Sequence, residues 1–99
     1  MKTNIQSVHF DADKKLIDFI EDKVSKLNAF NDRVMSTDVT LRLDKSGDNN
    51  NKIAEIKLLV PGTDLFAKKQ CSTFEEAIDL ACDALKTQIK RQKEKQMVK

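Results

Sequence analysis

Apolar and polar residues recur along this chain with two periods, and the switches between them mark six elements. Thr3 to Phe10 alternates weakly, with Thr3, Ile5 and Ser7 on one face, which predicts a short strand. Asp13 is a good N-cap. Behind it Leu16, Ile17, Ile20, Val24 and Leu27 recur at helical spacing, flanked by Phe19 and Phe30. This helix is predicted to end near Asn28, with Phe30 to Ser36 as a connection. Val39, Leu41 and Leu43 then alternate with Thr40 and Arg42 as a half-buried strand. The turn formers from Asp44 to Asn51 predict a mobile hairpin loop. Ala54, Ile56, Leu58 and Val60 make the next inward face, with Glu55, Lys57 and Leu59 outward, and Pro61-Gly62 turns the chain. On the last strand Leu65, Ala67 and Cys71 point inward, and Phe66, Lys68 and Gln70 outward. Ser72-x-x-Glu75 and Thr73-x-x-Glu76 are overlapping capping boxes that open a final helix.

The order is β-α-β-β-β-α. A β-α-β unit has to cross over, so the first two strands are predicted to be parallel neighbours, and the three later strands an antiparallel meander. Each strand has one apolar face, and two amphipathic helices are available to cover it. Both helices therefore belong on one face of a single four-stranded sheet, an α+β two-layer sandwich. With 99 residues the chain forms one domain over 1–99, with a single modest core.

On the final helix, Phe74, Ala77, Ile78, Ala81, Cys82, Leu85 and Ile89 fall on one arc at about 100° per residue. Past Ile89 that arc continues only as Gln92 and Gln96, so the helix is predicted to outrun the body it packs against. The same stretch changes the electrostatic picture. Residues 86–99 carry Lys86, Lys90, Arg91, Lys93, Lys95 and Lys99 against one acid, Glu94, a net of +5. The whole chain is only +2, which leaves −3 for residues 1–85. Lys86, Lys90 and Lys93 lie on one flank of this helix, Arg91 and Lys95 on the other. Lys15, Lys23 and Lys26 line one edge of the first helix, with Asp18, Glu21 and Asp22 opposite and behind. Two same-side helices with basic edges would frame a positive surface of the kind that binds phosphate. The bland alternative is that the lysines solubilise a helix end and suit its dipole.

Parts for catalysis are missing. The only glycines are Gly47 and Gly62, so there is no phosphate-cradling loop. Cys71 and Cys82 stand eleven apart without a CxxC, and His9 is the sole histidine. Reduced, packing cysteines follow, and no zinc site, cofactor or enzyme activity is expected. No run reaches membrane-span or signal-peptide length, so the expected location is the cytoplasm. Tyr and Trp are absent and most of the five Phe fall at core-like positions, which argues against base-by-base reading. Phe66, with Arg42, Lys57 and Lys68, forms a second candidate surface on the outer sheet face, where an ordinary solvated face is the simpler reading.

Several of these residues carry a resemblance. Ala77-Ile78-Asp79, then Leu85, Gln88-Ile89, Arg91 and Lys93, is similar to the final helix of the ribosome hibernation promoting factor family. Ala54-Glu55-Ile56 leading to Val60-Pro61-Gly62, then Leu65 and Ala67, resembles its third and fourth strands. Asp13-x-x-Leu16, Phe19-Ile20 and Lys23-Val24 resemble its first helix. The resemblance implies a fold related to double-stranded-RNA-binding domains and a place in the decoding channel of the small ribosomal subunit. There the family overlaps the mRNA path and the A- and P-site tRNAs, and keeps ribosomes of idle or stationary-phase cells inactive. It also implies that basic residues of both helices contact the 16S rRNA backbone, here Lys23, Lys26, Lys86, Lys90, Arg91 and Lys93. Glu75 stands where many members carry an aromatic. The chain stops at Lys99, so it resembles the short form, which lacks the dimerisation domain of long members. Two other functions stay open at this point, a general double-stranded-RNA-binding domain and a protein-interaction or transcription-modulating module.

Overall fold

A computed structural model of the chain describes residues 2–8, 10–27, 34–44 and 49–97, with side chains as far as residue 91. His9, Asn28, Phe30, Lys45, Gly47, Asp48 and Lys99, and the side chains of Gln92, Lys93, Lys95 and Gln96, lie outside the described residues. The elements are β1 (Lys2–Val8), α1 (Lys14–Leu27), β2 (Ser36–Leu43), β3 (Lys52–Val60), β4 (Thr63–Cys71) and α2 (Phe74–Met97). This is the predicted order. The sheet runs β1-β2-β3-β4, with β1 parallel to β2 and the other two pairs antiparallel.

Local chemistry sets the boundaries. The Leu16 amide donates to Asp13 Oδ1 at 2.9 Å, and the Glu76 amide to Thr73 Oγ1 at 3.1 Å, so Asp13 and Thr73 satisfy first-turn donors that would otherwise be orphaned. Of the two overlapping boxes, the Thr73 one caps α2. Val60 pairs with Thr63 across Pro61-Gly62, and Gly62 takes φ +86°, a left-handed conformation that glycine adopts without a Cβ penalty. At the far end of β3, the Asp44 amide bonds the Asn51 carbonyl at 2.8 Å and closes the base of the β2–β3 connection.

Register lines up Ile5, Val39, Ile56 and Ala67 as one inward row across all four strands. The helices cover that face. Ile20, Val24 and Leu27 of α1 are fully buried, and all seven predicted stripe residues of α2 are buried against β3, β4 and α1. Phe10 and Phe74 stack with centroids 4.9 Å apart and close the sandwich where α2 begins.

Two inward assignments differ from the pattern. Leu43, predicted inward, is exposed, because it is the last residue of β2, paired with Lys52 where the apolar rows end. Thr37 has the parity of Val39 and Leu41 and is fully buried in a row with Thr3, Leu58 and Leu65. Its hydroxyl hides that position from a hydrophobicity pattern. At 1.5 Å per residue the 24 residues of α2 span about 36 Å, and the molecule is 48 × 24 × 18 Å. Ile89 is the last buried residue described, so α2 has a further two turns of backbone beyond it. Among the described residues, no helix is long and apolar enough to cross a membrane.

Candidate nucleic-acid interface

The sequence-predicted cations fall on two surfaces. Lys23 lies on the α2-facing side of α1, where its ammonium donates to Asp79 Oδ1 at 2.8 Å. It also sits 5.6 Å from the centre of the Phe19 ring. Lys26 pairs within α1 to Asp22 at 3.4 Å, and Lys86 approaches Asp83 at 3.9 Å. Because Asp79 contacts α1, the α2 flank that carries Asp79, Asp83, Lys86 and Lys90 is the flank turned toward α1. The seam between the helices therefore alternates in charge, and it is less positive than the basic edges in the sequence suggest.

The Lys23–Asp79 pair ties α1 to α2. The hydrogen bond from Lys23, then its charge, hold the Asp79 carboxyl below its usual range, and the same two causes raise Lys23. A depressed carboxylate contributes stability above its unfolded pKa and loses it as pH falls through the folded value. A raised lysine contributes below its unfolded pKa and loses it as pH rises through the folded value. The tie is thus complete at neutral pH and fails only in strong acid or strong base. Carbon-detected NMR titration should show Asp79 as a low-titrating carboxyl, and Lys23→Met should move it upward. No upward movement would show that the pair does not form in solution.

The charge pattern read from the sequence assigns Asp79 and Asp83 no role at this seam. Positions 79, 83, 86 and 90 share one flank at helical spacing, and that spacing is the available signal. The Lys23 contact itself spans 56 residues and has no local signature.

Charge without a described acidic partner begins at Lys90 and Arg91, both exposed. They sit where α2 passes its last described buried residue. Arg91 is on the opposite flank from Lys86 and Lys90. That second flank also carries Gln88, whose Nε2 donates to the Phe66 carbonyl at 2.8 Å, so it faces the free edge of β4.

The cysteines take no part in this surface. Both are buried free thiols. Burial pushes the Cys82 thiol up to about 11 and raises Cys71 as well. Neither is a thiolate at neutral pH, and thiols of this kind react slowly. Mass spectrometry after iodoacetamide treatment at mildly alkaline pH should find both cysteines unmodified in the folded protein and both alkylated in denaturant. Rapid labelling of the folded protein would contradict their burial. Among the described residues no group of three His, Cys, Asp or Glu side chains converges as a metal site.

The family model described as Sigma 54 modulation protein / S30EA ribosomal protein matches residues 3–97. The chain belongs to that family. The ribosome hibernation promoting factor of Azotobacter vinelandii is 34% identical over 97 residues, spanning 98% of this chain and 87% of that protein. A Bacillus subtilis relative, ribosome hibernation promotion factor, is 30% identical over 97 residues, which are 96% of this chain and 50% of that longer protein. The N-terminal domain of Thermus thermophilus Protein Y superposes with a TM-score of 0.78 at 27% identity, covering 92% of this chain and 98% of that one. A ribosomal subunit interface protein from Coxiella burnetii reaches a TM-score of 0.83 over 94% of this chain and 98% of that one, at 18% identity, a likeness of fold.

Proposed function

We propose that this protein is a ribosome hibernation factor that wedges into the decoding channel of the small subunit in the cytoplasm. There it blocks mRNA and the A- and P-site tRNAs, and translation stops while the ribosome stays intact. Relatives of similar length and of this name support the role. The observation that carries the contact surface is the exposed Lys90–Arg91 step, where α2 passes its last described buried residue within a segment, 86–99, of net charge +5.

The six cations have unequal tasks in this reading. Lys90, Arg91 and Lys93 meet 16S rRNA phosphates directly, and Lys86 stands at their root. Lys23 and Lys26 reach phosphate only alongside Asp79 and Asp22, so each adds less, and Lys23 chiefly holds α1 against α2. Folded ribosomal RNA presents a fixed surface, so shape supplies specificity and no base has to be read at this contact. The wedge inhibits by occupying space and needs no reaction.

Poly(U)-directed translation with purified components tests this. The protein should inhibit vacant ribosomes, and ribosomes whose P site already holds tRNA should resist it. Equal inhibition of both would place the block outside the channel.

A further inference from the structure

The outer face of the sheet carries a feature that the helix seam does not use. Phe66 is 51% exposed on β4, directly opposite Lys57 on β3. Lys68 follows two residues along the same face, about 7 Å away by strand rise. The Phe66 carbonyl is fixed from the side by Gln88 Nε2 at 2.8 Å, which holds the β4 edge under the ring. The ring is thus presented on a paired strand with its main chain pinned, with Lys57 opposite and Lys68 two residues along.

We propose that this surface binds an unpaired RNA strand, with one base stacked on Phe66 and its flanking phosphates near Lys57 and Lys68. Acids lie nearby as well. Asp64 pairs with Lys57 at 3.4 Å, Glu55 accepts from Arg42 at 2.6 Å, and Asp38, opposite Lys57, accepts from Asn4 at 3.0 Å. Each acid already has a partner, and Lys68 has no ion pair among the described residues. The local surplus is modest, so stacking supplies most of the affinity and charge sets the preference for a nucleic acid. A single ring bordered by lysines suits a base, since every base has a π-face and its backbone brings phosphates to either side. A duplex hides its bases and gains nothing from the ring.

This surface is on the sheet face away from both helices, so the inference stands independently of the ribosome reading. The test is fluorescence anisotropy of the intact protein with a labelled oligouridylate of about a dozen nucleotides, a length suited to one small domain. An abasic ribose-phosphate chain of equal length and an RNA duplex serve as comparisons. The intact protein should bind the oligouridylate at least about tenfold more tightly than the abasic chain, because stacking is worth roughly 1–3 kcal/mol per base. Phe66→Ala and Phe66→Leu should each lose that margin, and Phe66→Tyr should retain it. A thermal melt confirms that the exposed-site variants fold. Equal affinity for the abasic chain, equal affinity for the duplex, undiminished binding by Phe66→Ala, or no binding by the intact protein would each overturn the proposal.

Discussion

Lys86→Glu combined with Lys90→Glu should abolish ribosome binding and leave the thermal melt within a few degrees of the parent. The double reversal takes the chain from +2 to −2 and the segment 86–99 from +5 to +1. Each lost phosphate contact removes released counterions and adds repulsion, and an interface of about five contacts already loses roughly 10²–10³-fold in affinity between about 50 and about 200 mM salt. Removing two contacts and placing two carboxylates against phosphate is therefore decisive for binding. Folding should lose little by comparison. Lys90 is exposed, and the Lys86–Asp83 pair is long and solvated, of a type that contributes about 0–1 kcal/mol. A filter-binding titration beside a melting curve checks both halves. Retained binding would show that this flank of α2 is not the contact surface.

Leu85→Ala should do the reverse. Leu85 lies at the centre of the α2 stripe, with no exposure, in the core shared by the sheet and both helices. Truncating a buried leucine costs about 2–5 kcal/mol, from lost transfer free energy and the cavity left behind. Small domains have only about 5–15 kcal/mol in total, so the loss is a large share. The urea midpoint should fall sharply with an unchanged slope. Ribosome binding, measured well below the new midpoint, should persist, because the cations remain. A midpoint close to the parent's would mean that α2 is not docked through this residue.

Much of the architecture is legible because it depends on local pattern. Two faces of alternating residues on β3, a seven-residue stripe on α2, and the caps Asp13 and Thr73 each specify their element with neighbours only a few positions away. Leu43 misled because alternation says which side a residue faces and nothing about where the covering layer ends. Thr37 was passed over because a hydroxyl at an inward position breaks the pattern.

The contact surface is less legible for a related reason. Counting charge from Lys86 onward locates the positive end, and a helical wheel separates Arg91 from Lys86 and Lys90. The pairing of Lys23 with Asp79 is tertiary, made only when α1 and α2 lie side by side. It gives a residue that reads as a phosphate ligand a contact between the two helices as well. The Gln88 contact to the Phe66 carbonyl is equally invisible in sequence, and it pins the main chain beneath an exposed phenylalanine.

Co-sedimentation of the purified protein with separated ribosomal subunits, over a salt series and with added tRNA, tests the central claim most directly. Binding to the small subunit alone, lost steeply as salt rises and displaced by tRNA, is the predicted result. Failure to pellet with the small subunit at low salt, or pelleting that tRNA leaves untouched, would contradict it.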